Sequence, residues 1–139
     1  MTIGQIYYEQ NSKIDNIRDC AAVIFLRDGY SASSTDDIAK LARASKGTIY
    51  RYFPDKTRLF REAMHRAIGN VFRQPLYKHP QTGRSRDDLV TMFDDLAHWA
   101  ATPAHRSLLR VAIAESERFP DIHMKYTYSK GVCVVKPIE

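Results

Sequence analysis

Apolar residues recur three and four positions apart over most of this chain, the period of a helix with one buried face. Ile14, Ile17, Ala21, Ile24 and Phe25 keep that spacing from about Ser12 to Asp28, with Val23 and Leu26 widening the face. Gly29 suits a stop in a left-handed conformation, and Tyr30 can pack back on the helix. A second helix is expected from Ser34 to Ala42, with Ser34 as N-cap, Asp37 closing a capping box, and Ile38, Leu41 and Ala42 facing inward. Asp36 and Asp37 lie in its first turn, where the helix dipole favours carboxylates. After a short break, Ser45 can cap a third helix, Lys46 to Phe53, which Pro54 ends. A fourth starts at Asp55 and carries the cleanest stripe: Leu59, Phe60, Ala63, Met64, Ala67, Ile68, Val71 and Phe72. At 1.5 Å rise it spans roughly 27 Å, enough to join two lobes.

Gln74 to Arg84 holds two prolines and a glycine and reads as a linker. Ser85 then opens a fifth helix, with Leu89, Phe93, Leu96 and Ala100 on one face and Met92 and Trp99 beside them. Thr102-Pro103 supplies a cap and a first-turn proline for a sixth helix. That helix carries Leu108, Leu109, Ala112, Ile113 and Phe119 inward, until Pro120 stops it. Asp121 to about Tyr128 begins a seventh. Residues 1 to 11 show no period and read as a loose tail, while Val132-Cys133-Val134-Val135 is a strand-like run without a partner. The predicted class is all-α.

Composition sharpens this picture in one respect. The 139 residues are 44% hydrophobic, which fits a globular chain, and carry a net charge of +5. Between Lys40 and Arg61 stand seven Lys/Arg (Lys40, Arg43, Lys46, Arg51, Lys56, Arg58 and Arg61) against the single acid Asp55, so the local excess is larger than the whole chain's. An anionic partner at this stretch is implied. Cys20 and Cys133 make no disulfide framework and fit a reducing compartment. The opening MTIGQIYYEQ has no signal-peptide pattern, and no apolar run reaches the roughly 18 residues of a membrane span, so a cytoplasmic location is expected.

Wound at 100° per residue, the third helix puts Ile49 and Phe53 on its buried side. Gly47, Thr48 and Arg51 point the other way, and Tyr50 and Tyr52 occupy the shoulders. Arg51 can bond a guanine edge or a phosphate. Thr48 and the tyrosine hydroxyls can bond phosphate oxygens, which position without reading sequence. Gly47 lets the helix start come close to a backbone, where free N–H groups attract anions. Thr35 and Lys56, at the starts of the second and fourth helices, can clamp phosphates on either side. From residue chemistry alone, a solvated basic face on a plain helical bundle remains the alternative.

Gly29-Tyr30, Ser34-Thr35-Asp36-Asp37-Ile38-Ala39, the string SKGTIYRYF from Ser45 to Phe53, Lys56, and Leu59-Phe60 closely resemble the DNA-binding domain of the TetR family of transcriptional regulators. The resemblance covers about residues 12 to 72. It implies a three-helix helix-turn-helix head, joined by a linking helix to a partial helical bundle at 85 to 139 for ligand binding and dimerisation. It further implies repression of a palindromic operator in double-stranded DNA, relieved by a small-molecule effector. The residues it carries over as DNA contacts are Thr35, Ser45, Lys46, Gly47, Thr48, Tyr50, Arg51, Tyr52 and Lys56. For a ligand pocket it favours Met92, Phe93, Trp99 and Phe119, which otherwise read as core.

Three positions depart from the family pattern. The turn, usually Gly then Val, is Arg43 then Ala44; the segment before the first helix offers only Lys13 and Arg18; and the chain stops short of the two helices that build the family's dimer interface. A homodimer is implied by the family, but this chain is expected to be a truncated or frame-shifted product, monomeric or paired through its fifth and sixth helices. The alternative function is a helical interaction or ligand-binding fragment that no longer regulates DNA. Asp94, Asp95 and His98 share a helix face that reads as solvated rather than metal-binding, and His105 and His123 read as surface or cap residues. Glu115 and Glu117, two apart, make no acid–base pair, and no phosphate loop or nucleophile motif occurs, so neither a cofactor nor an enzyme is expected.

Overall fold

The computed structural model describes residues 3–73 and 86–128. Among them are seven helices: α1 (Ile3–Ala32), α2 (Thr35–Ala42), α3 (Lys46–Tyr52), α4 (Lys56–Arg73), α5 (Arg86–Ala100), α6 (Pro103–Ala114) and α7 (Pro120–Tyr128). The all-α expectation holds for these residues. The linker at 74–84, the Ser85 cap and the strand-like run at 132–135 lie outside them. The chain divides into two compact units, residues 1–67 and 68–139, with the division falling inside α4.

In the first unit α1 packs on α2 and α2 on α3. The core is the predicted one: Ile17, Ala21, Ile24 and Phe25 from α1, Ile38, Ala39 and Ala42 from α2, Ile49 and Phe53 around α3, and Leu59, Phe60, Ala63 and Met64 from α4. Three expectations for this unit are corrected, the first being Val23, expected to widen the buried face of α1 and 56% exposed. Helix α1 begins at Ile3, so residues 3–11 are helical rather than a loose tail. Leu41, expected inside, is 47% exposed. The caps are those of the sequence: Ser34 Oγ accepts from Asp36 N–H, Ser45 Oγ from Thr48 N–H, and Asp55 Oδ1 from Arg58 N–H.

Gly29 breaks α1 with φ 79° and ψ −178°, a region that essentially only glycine enters. The break turns Tyr30 back. Its ring stacks with Phe25 at 6.4 Å and meets Phe60 edge-on at 5.2 Å, while Phe25 meets Phe60 edge-on at 4.9 Å. The Tyr30 hydroxyl shares a hydrogen bond of 2.9 Å with Thr57.

Charged side chains also join α1 to α4. Arg18 binds Asp15 (3.1 Å) and Glu62 (2.8 Å), and Arg66 binds Asp19 (2.5 Å) and Asp15 (3.3 Å). Asp19 accepting from Arg66 holds that guanidinium's pKa up. Pairs this exposed contribute on the order of 1 kcal/mol or less each.

In the second unit α5 packs on α6 and α6 on α7. Leu108, Val111, Ala112, Phe119 and Ile122 are buried. Thr102 caps α6 through His105 N–H, with Pro103 in its first turn. Helix α6 ends at Ala114, not Phe119, and Pro120 opens α7 instead of stopping α6, a position where the missing N–H costs nothing. The expected faces of α5 and α6 are partly wrong. Leu89, Phe93, Leu109 and Ile113 are exposed, as is Val90.

His105, expected at the surface, is 5% exposed. It lies against Trp99 (3.9 Å between ring centres), Phe72 (6.3 Å) and Tyr126 (5.7 Å), and its Nε2 is 2.5 Å from the Tyr126 hydroxyl. Burial pushes its pKa down and that of Tyr126 up. The unfolded imidazole, with an ordinary pKa near 6.5, takes a proton that the folded one refuses. The unfolded state therefore binds more protons as pH falls below 6.5, and acid destabilises this unit. Trp99, the chain's single tryptophan, reports it directly. Melts followed by its fluorescence should lose midpoint between pH 7 and pH 5, and His105→Gln should flatten that dependence. An unchanged slope in the variant assigns the effect to other groups.

Candidate nucleic-acid interface

Helices α2 and α3 are joined by Arg43 and Ala44. Arg43 sits at φ 52°, ψ 42°, in the left-handed region. Its N–H donates to Lys40 O (3.2 Å), and Ala44 N–H donates to Ala39 O (3.0 Å). This pair of bonds closes α2 as glycine usually does, but an arginine there costs roughly 1 kcal/mol more than glycine. Asn16 Nδ2 donates to Ala42 O at 3.0 Å, tying α1 to the same turn.

The turn aims α3 outward. Ile49 and Phe53 are 1% and 3% exposed, so the opposite face is the free one. Lys46, Gly47, Tyr50 and Arg51 are exposed on it; Thr48 and Tyr52 are half-buried. No carboxylate lies on α3. A methyl group at Gly47 would meet only Ser45 Oγ, at 3.9 Å, so nothing inside the unit requires glycine there.

Each predicted contact residue has a definite setting. Ser45 Oγ serves the cap and shares a 2.8 Å hydrogen bond with Thr48 Oγ1. Lys46 Nζ is paired with Asp36 Oδ1 at 3.1 Å, a carboxylate from the first turn of α2 that the sequence reading placed there only for the dipole. Arg51 has its guanidinium carbon 6.0 Å from the Tyr52 ring centre. Lys56 Nζ lies 4.8 Å from the Tyr30 ring centre and 3.5 Å from Ser31 O. Thr35 is the first residue of α2 and is half-buried. Arg18, one of the two cations expected for the DNA side, is committed to Asp15 and Glu62. A groove that sequence reasoning missed runs between α1 and the turn, with Lys13 and Arg43 on its walls beside Ser45 and Thr48. Its signal was present as Lys13 ahead of the buried face of the first helix and as Arg43 standing where the resemblance expects glycine.

Of the residues expected to line a ligand pocket, Phe119 is buried, Met92 and Trp99 are half-buried, and Phe93 is 63% exposed. Trp99 meets Phe72 (5.3 Å) and His105, and Phe72 meets Tyr126 edge-on at 5.6 Å. Among the described residues no group of three or more His, Cys, Asp or Glu is placed to hold a metal ion, and no helix is long and apolar enough to cross a membrane.

Residues 17–63 match the family model described as bacterial regulatory proteins, tetR family. An uncharacterized HTH-type transcriptional regulator of Mycobacterium bovis is 33% identical over 95 residues, 68% of this chain and 44% of its own length. The DNA-binding transcriptional repressor TetR of Mycobacteroides abscessus is 39% identical over 70 residues, 50% of this chain and 35% of its own. Among solved structures, the flavonoid-responsive regulator FrrA superposes with a TM-score of 0.61 at 30% identity, over 86% of this chain and 60% of that one. The chain thus spans under half the length of the curated relatives it matches. With α1 to α4 arranged as described and the match lying within them, residues 17–63 form a domain of the tetR family of bacterial regulatory proteins.

Proposed function

We propose that this chain is a non-enzymatic, DNA-binding transcriptional regulator of the cytoplasm, and that α3 is its reading helix. The observation that carries this is the outward face of α3, with Lys46, Gly47, Tyr50 and Arg51 exposed and no acid among them, held out by buried Ile49 and Phe53. Thr35, Ser45, Thr48, Tyr52 and Lys56 surround that face and position phosphates. Residues 12–72 act as the DNA-binding domain and 85–139 as a partial ligand-binding and dimerisation domain. The names of the M. abscessus repressor and of FrrA support repression and a small-molecule effector. Met92, Trp99 and Phe119 are the proposed walls of the effector site, with Phe93 at its edge. The operator is a palindrome read by two copies, since helix-turn-helix dimers bind half-sites about one turn apart.

The test is binding of the full chain to duplexes from the DNA flanking its own coding region, by gel shift and by anisotropy over a range of salt. Affinity should fall linearly on a log–log plot. Lys56→Ala should weaken all duplexes alike and reduce the slope by about one. Equal, salt-independent affinity of both proteins for every duplex overturns the reading.

A second reading rests on a separate observation. Leu89, Val90 and Phe93 are all more than half exposed on α5, an apolar face suited to a partner. A helical interaction or ligand-binding fragment without operator affinity would keep that face and fail the gel shift.

A further inference from the structure

The least expected residue in the head is Arg43. Its left-handed backbone is the conformation glycine takes most readily, and its backbone bonds to Lys40 and Ala39 need no side chain. The side chain is exposed, and among the described residues it meets no carboxylate and makes no hydrogen bond. The fold therefore gains nothing from the guanidinium. Lys13, on α1 across the groove, is likewise exposed and unpaired among the described residues. Four other cations of the head are committed to carboxylates, Lys46 to Asp36, Arg18 and Arg58 to Glu62, and Arg66 to Asp19, while Arg51 and Lys56 belong to the proposed reading face.

The groove holding both cations is lined by Ser12, Lys13, Asn16, Arg43, Ser45 and Thr48, with the carboxylate of Glu9 also on its wall. Ser45 and Thr48 belong to the proposed DNA face, so the groove opens onto the flank of α3. Asn16, bonded to Ala42 O, holds α1 at a fixed distance from the turn.

We propose that Arg43 and Lys13 form a second phosphate clamp, taking a DNA backbone phosphate in the groove between α1 and the turn that precedes α3. The inference rests on the DNA-binding reading and adds to it Arg43, a contact outside the set that the resemblance carries over, working with Lys13. Two unpaired cations that share a groove with the hydroxyls of Ser12, Ser45 and Thr48 suit a phosphodiester. Glu9 opposes it and sets its strength.

The experiment uses the full chain, one duplex that the wild type binds, and four variants: Arg43→Gly, Lys13→Ala, the double variant and Glu9→Gln. Arg43→Gly should raise the thermal midpoint while weakening binding several-fold and reducing the salt slope by about one. Lys13→Ala should lose about the same slope without the thermal gain, and the double variant about twice that. Glu9→Gln should tighten binding. A more stable Arg43→Gly protein with wild-type affinity and slope overturns the clamp alone and leaves the reading helix intact. A wild type that shows no salt-dependent binding takes down both.

Discussion

Phe60→Ala is expected to cost the first unit about 3–5 kcal/mol, the usual range for emptying a fully buried aromatic site. Phe60 is 0% exposed and touches both Phe25 and Tyr30. Its loss removes one member of each edge-on pair and opens a cavity among α1, the Gly29 corner and α4. At roughly 0.05–0.15 kcal/mol per residue, a unit of this size holds only about 3–10 kcal/mol in all. The variant head therefore loses between about a third and all of its stability, and DNA affinity falls as the unfolded fraction grows, whatever happens at α3. Circular dichroism melts and urea titration measure this. Phe93→Ala, on an exposed site, is the control and should change stability by no more than about 0.5 kcal/mol. A Phe60→Ala loss under about 1 kcal/mol would mean the aromatic cluster is not the core of the head.

Arg51→Ala is expected to have the largest effect on binding without touching the fold. Arg51 is exposed, and its side chain meets only the Tyr52 ring at long range among the contacts described. A bidentate contact to a base edge is worth about 1–3 kcal/mol against the wrong base, or roughly fivefold to 150-fold. The loss should fall on one base pair of each half-site. A duplex set varied at single positions would show a step in affinity that the wild type sees and the variant does not. Arg51→Lys should fail to restore it, because a point charge cannot replace the planar fork. A uniform loss across the set would reassign Arg51 to a phosphate.

The first unit was largely legible in the sequence because its determinants are local. Ser34, Ser45 and Asp55 cap within three residues, and the stripe from Leu59 to Met64 needs only a period. What period cannot supply is a neighbour. Leu89 and Phe93 have inward spacing yet lie exposed, and Leu41 does too, since amphipathicity names a face without saying what covers it. Residues 3–11 form helix without an apolar stripe, so nothing announced them. Pro120 carries two meanings, stop and first turn, that only the fold separates. His105 and Tyr126 are 21 positions apart, and no local pattern links them. At the candidate site the contact residues were legible by type and spacing. Their commitments were not: the Lys46–Asp36 pair and the capture of Arg18 by Glu62 depend on how α1, α2 and α4 meet.

Gly29 makes the corner after α1 a position open to a single amino acid. At φ 79° and ψ −178° the exclusion comes from the main chain itself, so it acts on every alternative side chain, large or small, polar or apolar. No change of its codon other than a synonymous one is silent, and no compensating change among Phe25, Tyr30 and Phe60 can relieve it. Gly47, where an added methyl would make only an ordinary contact with Ser45 Oγ at 3.9 Å, is the reverse case: folding leaves it free to drift, and only selection for a bound partner would hold it.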